Sequence, residues 1–269
     1  MTVYNSLDPQ STWPESWQLS QKYDELELYG SRRHLGYTYA YDVRKRQIYD
    51  LISHAVEPGE RIIDIAAAQG NFTIALAKAG YNVTWNDIRA ELIDFVKLKY
   101  SGPRVDFCPG NVFDLRANEQ YDAALVSEVI EHVAHPDQFL AHIAGLVRPG
   151  GAIVLTTPNG GYVRNRLPRF SECREFEELE ETQFAPDADG HIFLLHSDEI
   201  RLLARGAGLD VLELRRYANP LTCGYLGTGP LLQVLPREFI RCLERVTECL
   251  PVAISDRINT GLAVLLRKS

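Results

Sequence analysis

The sequence predicts an α/β fold built on a parallel sheet, and three observations carry that prediction. Short apolar runs alternate with helical patterns between residues 60 and 157. The first of these strands enters a tight turn that opens a helix, in "RIIDIAAAQGNFTIALAKAG" at 61–80. Acids also stand near the ends of the first two strands, at Asp64 and Asp87. Alternating strands and helices imply right-handed crossovers and a ligand site beyond the strands' carboxyl ends.

Residues 1–58 hold seven of the thirteen tyrosines and two of the three tryptophans, which suggests an N-terminal helical, aromatic cap. Its tyrosines either pack the cap onto the core or, like Tyr23, Tyr29 and Tyr37, line a pocket. Residues 59–269 form the main domain. "RIIDIA" reads as a buried strand and "NFTIALAKAG" as a short helix, with Asn71 as N-cap and Gly80 past its end. "NVTWN" is a strand. "AELIDFVKLKY" is a helix whose face is Leu92, Phe95 and Val96, flanked by the stem of Lys99. "RVDFC" and "YDAALVS" are further strands. "PDQFLAHIAGLV" starts at Pro136, a favoured first helical position, and "GAIVLTTP" is another buried strand.

Two insertions break this rhythm. Residues 159–196 are too long for an ordinary connection, and a glycine pair, Gly160–Gly161, opens them. Such a segment suits a lid ordered by ligand. Its Arg164, Arg166 and Arg169 either decorate the surface or meet an acidic substrate group. The helix "SDEIRLLARGAG" and the strand "LDVLELRRY" follow. The second insertion, 218–259, includes a helix at 236–250, in which Cys242 and Cys249 share a spacing with Leu243, Val246 and Leu250 that suits packing. "TGLAVLLRK" is the last strand.

Composition narrows the function. The 269 residues are 45% apolar and 24% charged, which is enough for a substantial core. A net charge of −8 argues against nucleic acid or an anionic membrane as partner. No spanning helix or signal segment stands out, and five cysteines without a CxxC pair suit reduced thiols, so a cytoplasmic protein is expected.

The turn after the first strand decides the ligand class. A dinucleotide site would read GxGxxG and meet a pyrophosphate. Here Gly70 remains, while Ala66 and Ala68 stand where glycines are usual. Alanine costs little there if φ is negative. Asp64 would repel a phosphate and suit a cation, such as the amino group of a methionine moiety. Asp87, ending "WND", suits two ribose hydroxyls, because an ionised carboxylate accepts both hydrogen bonds. Ile88 would flank an adenine ring. Asn111 offers its edge a donor and an acceptor, and Val112 covers it. Ser127, closing the fourth strand, joins this cofactor set.

Together "DIAAAQGNFT", "WNDI", "PGNVFDL", "SEVIEHVAHPDQFL" and "LVRPGGAIVLTTPNG" resemble the class I S-adenosylmethionine-dependent methyltransferases, most closely the ubiquinone-biosynthesis type O-methyltransferases. The resemblance covers about 60–215. It implies a Rossmann-like seven-stranded sheet with helices on both faces and its last strand antiparallel. It also implies S-adenosylmethionine at the residues just named.

"SEVIEHVAHP" follows the fourth strand. Glu128, Glu131 and His132, at i, i+3 and i+4, would share a helical face. Two carboxylates and an imidazole suit Mg²⁺, Mn²⁺ or Fe²⁺. "DGHIFLLHSDEI" brings His191 and His196 back. The pattern is similar to that of metal-dependent small-RNA 2′-O-methyltransferases and some ubiquinone enzymes, which implies Glu128, Glu131, His132 and His191 as ligands. The metal-free reading makes His132 or His191 the general base, with Glu128 beside it. His135 reads as a cap or surface residue, and His34, His54 and His142 as structural.

The expectation is an O-methyltransferase acting on a small hydroxylated molecule. One rival is a metal-dependent RNA 2′-O-methyltransferase, which the charge and six glutamates between 172 and 181 oppose. The other is a non-catalytic S-adenosylmethionine-binding regulator.

Overall fold

The computed structural model describes residues 12–30, 34–118, 120–173, 179–180, 183 and 190–269. Five strands run parallel: β1 (Arg61–Ile65), β2 (Asn82–Asn86), β3 (Val105–Phe107), β4 (Tyr121–Ser127) and β5 (Val147–Pro158). With β6 (Leu209–Tyr217) and β7 (Gly261–Lys268) they form one seven-stranded sheet, ordered β3-β2-β1-β4-β5-β7-β6. β7 is antiparallel to both of its neighbours, as the resemblance implies.

The central strands β1, β4, β5 and β7 are largely buried on both faces, which explains their near-continuous apolar runs, whereas the edge strands β3 and β6 are partly exposed. In β1, Ile63 and Ile65 face Phe139, Leu140 and Ile143 of α5 (Pro136–Leu146). Ile62 faces Leu51 and Ile52 of α2 (Leu35–Ala55) and Leu76 of α3 (Asn71–Lys78). Helix α2 lies within the segment read as a cap, yet it covers the sheet itself. Its many tyrosines mask a stripe of Ile48, Leu51 and Ile52, all fully buried. The true cap is α1 (Glu15–Glu27), whose Trp17 packs with Trp13 against Phe95 of α4 (Leu92–Lys99).

Three details of the helices differ from expectation. Gly70, at φ +70°, is the N-cap of α3, and Asn71 is already helical. Lys99 does not merely flank the apolar face of α4: its ammonium is buried against Asp24. His196, which sequence spacing brings back beside His191, caps α6 (Ser197–Gly206) in a reciprocal box with Glu199.

The described ends of the first insertion are anchored. Gly160 N–H donates to Leu195 O, and a Cβ at Gly160 would lie 2.4 Å from Leu194 O. These glycines therefore permit close packing at the base of the segment. Residues 174–178, 181–182 and 184–189, in the middle of the expected lid 159–196 and covering most of the acidic run, lie outside the described residues.

The second insertion carries α7 (Gly229–Leu232), α8 (Arg237–Glu248) and α9 (Val252–Ile258). Helix α8 turns Ile240, Glu244 and Thr247 inward. Glu244 accepts the Asn219 N–H and the Thr222 hydroxyl, and burial pushes its carboxyl up to about 7. Its polar anchoring reverses the sequence reading: Cys242 and Cys249 are exposed, in an outward stripe with Phe239 and Val246. Among the described residues no helix is long and apolar enough to cross a membrane.

Candidate active site

Strand order reverses between β1 and β4, so their carboxyl ends open a crevice. A cavity of about 110 Å³ fills its throat. The turn after β1 (Asp64 to Gln69), Ser127 and Glu128 line it, with Tyr41 and Arg44 from α2 above.

The turn after β1 is wound tightly. Ala66 and Ala68 have φ of +51° and +47°, so both alanines are left-handed, against the negative φ expected. Each such residue costs roughly 1–2 kcal/mol relative to a right-handed one. The turn's own hydrogen bonds hold it there. Ala67 N–H donates to Asn86 O, Gly70 N–H to Ala67 O, and Ala68 N–H to Asp87 Oδ2 at 2.8 Å. Gly70 is required on two counts: its φ is positive, and a Cβ would meet Val96 at 2.9 Å.

Asp64 is buried and accepts the Thr73 hydroxyl at 2.6 Å. Burial pushes its carboxyl up to about 7, the Thr73 bonds oppose this, and Asp87 adds to it. It faces the cavity as an acid poised between its two forms. Asp87 is buried at the end of β2 and already engaged, accepting from Ala68 N–H and from the backbone and guanidinium of Arg89. Gly110 N–H donates to Asp87 O, which sets Asn111 beside it. Asn111 Oδ1 accepts Phe113 N–H, leaving its amide as the outward donor, and His142 holds Val112 O at 2.8 Å. Ile88 is 70% exposed. Asp87, Ile88, Asn111 and Val112 thus form an open shelf beside the cavity.

The turn after β4 divides the proposed metal set. Glu128 is left-handed (φ +56°), and Ile130–His132 form one 3₁₀ turn where an α-helical face was expected. Glu128 points toward Arg44 (3.6 Å) and Tyr217 (3.4 Å). Glu131 points elsewhere. It is fully buried, with Oε2 accepting the Thr157 hydroxyl at 3.0 Å and Oε1 accepting no hydrogen bond. That Oε1 lies 3.9 Å from the Nε2 of both His132 and His191, whose rings meet edge-on at 4.8 Å. Burial and the neighbouring Glu128 hold the Glu131 carboxyl well above the usual carboxylate range.

Glu131, His132 and His191 offer ligand atoms that all lie within 4.8 Å of one another. Ligands about 2.0–2.2 Å from a shared ion are at most about 4.4 Å apart, so only a small closure is needed. One carboxylate and two imidazoles suit a divalent transition metal with open positions. Glu128 stands outside this group, and the two clusters meet through β5, where Thr156 holds Ser127 (3.0 Å) and Thr157 holds Glu131.

Other expectations fall away from the crevice. Tyr23 and Tyr37 are exposed, and Tyr29 lines a separate groove beside Lys45 and Tyr49. The aromatics at the cavity are Tyr41 and Phe72, stacked at 5.4 Å. Arg164 and Arg166 are exposed, and Arg169 is paired with Asp198. His135 meets Glu180. Arg44 was missed by sequence reasoning. Its guanidinium contacts Glu27 and Glu128, whose attraction outweighs burial and keeps it charged. A single arginine in an aromatic helix gives no pattern by which to find it.

Comparison with known proteins bears on the fold and the family. A ubiquinone biosynthesis O-methyltransferase of Xanthomonas axonopodis pv. citri is 33% identical over 115 residues, which are 41% of this chain and 48% of that relative. The chain thus spans about half the length of that relative. One of Aromatoleum aromaticum is 27% identical over 184 residues, 62% of this chain and 71% of its own. Among solved structures, the [4+2]-cyclase SpnF superposes with a TM-score of 0.59 at 16% identity, covering 95% of this chain and 97% of that one. It shares the fold and is named for a different reaction, so the fold alone does not fix the chemistry. The methyltransferase-domain family matches residues 37–214, and the chain belongs to that family.

Proposed function

We propose that the protein transfers a methyl group from S-adenosylmethionine to a hydroxyl of a small molecule. The observation that carries this reading is the adjacency of two unlike sites: Ser127 and Glu128 line the cavity, and Glu131, just beyond, sits between two imidazoles. The family and the names of the relatives support it.

The residues present fit the cofactor. The cavity suits its amino-acid end, with Asp64 to meet an ammonium and Arg44, a half-buried cation whose Nε makes no hydrogen bond, to meet a carboxylate. The shelf suits its nucleoside, with Asp87 accepting from ribose hydroxyls once Arg89 swings aside. S-adenosylmethionine supplies an electrophilic methyl on a sulfonium. The chain's task is to align the acceptor oxygen in line with it and to take the hydroxyl proton. His132 and His191 are placed for that proton. A divalent ion held by Glu131, His132 and His191 would lower the hydroxyl's pKa, and it would relieve the cost of ionising Glu131. Glu128 then serves to orient Arg44 and Tyr217.

The test is methyl transfer from isotope-labelled S-adenosylmethionine to catechol probes, with release of S-adenosylhomocysteine measured before and after chelation. Turnover lost on chelation and restored by Mg²⁺ or Mn²⁺ supports the metal. Turnover indifferent to chelator leaves an imidazole as the base. Absence of transfer to any hydroxylated probe, with S-adenosylhomocysteine still bound, would favour a regulator.

A further inference from the structure

Lys99 makes three contacts that the reaction does not require. Its Nζ donates to Asp24 Oδ2 of α1 (2.6 Å), to Asn71 Oδ1 at the start of α3 (2.6 Å) and to Gln69 O in the turn after β1 (3.1 Å). Asn71 Nδ2 closes the ring onto Asp24 Oδ1 at 2.8 Å. An ammonium has three protons, and here each goes to a different segment. The lysine and aspartate side chains are 1% and 0% exposed. Gln69 and Asn71 both line the cavity.

We propose that Lys99 and Asp24 are positioning residues that couple the docking of α1 to the shape of the cofactor turn. Two observations separate this from a merely structural ion pair. A buried pair is a poor source of net stability, since apolar residues of similar volume often serve as well or better. What an apolar pair cannot do is hold the Gln69 carbonyl and the Asn71 amide, on either side of Gly70, in a turn that also strains Ala66 and Ala68. The second observation is the helix itself. The buried residues of α1 are Ser20, Gln21 and Asp24, none of them apolar. Trp17 adds a half-buried aromatic contact with Phe95, yet a helix with no fully buried apolar residue belongs to the low-stability end of a structure. Its position therefore depends on this cluster, and the turn's position depends on it in return. Coupling of this kind is reciprocal: a ligand that fixes the turn also fixes α1.

The inference rests on the cofactor reading above, so S-adenosylhomocysteine binding by the wild type is measured first. No binding there overturns both. Given binding, the paired variant Asp24→Leu/Lys99→Met removes both charges together. Its expected Kd for S-adenosylhomocysteine rises at least tenfold while its Tm stays within a few degrees of wild type. KM for S-adenosylmethionine should rise similarly, with kcat at saturation within about threefold. A Kd within twofold of wild type at an unchanged Tm overturns the proposal. Amide exchange on the wild type needs no variant: S-adenosylhomocysteine should slow exchange in residues 15–27 together with 66–71. Protection of the turn without α1 overturns the coupling even if the paired variant does not fold.

Discussion

The turn after β1 and the turn after β4 stand side by side at the crevice, and each holds a non-glycine residue in left-handed conformation. They differ in what surrounds that strain. The first is closed: its amides donate within the turn or to β2, and Lys99 ties it to α1. The second is open: Glu131 Oε1 is buried and unsatisfied, between two imidazoles. A satisfied network fixes a shape, whereas an unsatisfied buried oxygen awaits a proton or a cation. Recognition and chemistry thus occupy neighbouring turns of opposite character.

The sharpest way to break this contrast is at the open turn. Glu131→Gln and His191→Ala should each lower kcat by roughly 100- to 10,000-fold, the range for loss of a positioned proton acceptor. S-adenosylhomocysteine affinity should move less than threefold by calorimetry. A comparable loss of cofactor affinity would mean that the two turns are not separate in function.

At the closed turn the reverse is expected. Asp87→Ala removes charge-assisted hydrogen bonds worth about 1.5–3 kcal/mol, which is about 10- to 150-fold in cofactor affinity. Calorimetry on folded protein measures it, and kcat at saturating cofactor should survive. Unchanged affinity would remove Asp87 from the ribose role.

Asp64 sharpens the comparison through pH. If a cofactor ammonium requires its carboxylate, affinity should fall roughly five- to tenfold from pH 8 to pH 6, since its pKa is about 7. Asp64→Asn should abolish that slope. Stability runs the other way. A folded pKa above the unfolded 3.8 contributes stability below pH ~4 that is lost as pH rises through 7. Thermal melts should therefore show Asp64→Asn flattening the decline between pH 4 and 7. Parallel curves for the two proteins would refute the assignment.

The smallest effect tests the strain. Ala66→Gly or Ala68→Gly should relieve about 1–2 kcal/mol of left-handed cost, less about 0.5–1 kcal/mol of added unfolded-chain entropy. The expected net gain runs from zero to about 1.5 kcal/mol, a rise in Tm of up to ~3–6 °C. A fall in Tm would show that the methyl groups are needed for packing.

The alternating strands and helices of the sheet were legible in the sequence because their periodicity is a local signal, whereas its antiparallel last strand followed only from the family resemblance. Glu131 and His191 were singled out from the sequence and the structure brings them together, but the separation of Glu128 from them was not legible. Spacing i, i+3, i+4 reads as one face only if the segment is α-helical, and the left-handed φ at Glu128 sends its side chain toward Arg44. Helix α8 misled for a related reason. Its inward anchors, Glu244 and Thr247, are polar, so the apolar spacing marked the solvent side. Lys99 read as an amphipathic stem because its partner, Asp24, is distant in sequence.

The place of β7 bears on how the chain is made. Ala152 pairs with Arg267 and Pro158 with Gly261, and β6 reaches the sheet only through β7. During synthesis β5 therefore emerges from the ribosome long before its outer neighbour exists. Its open edge carries Ile153, Val154 and Leu155, the kind of unpaired apolar strand that recruits other chains. A nascent chain halted before Gly261 would display a half-built sheet, so translation speed and chaperone access over the roughly hundred residues between β5 and β7 should bear on yield.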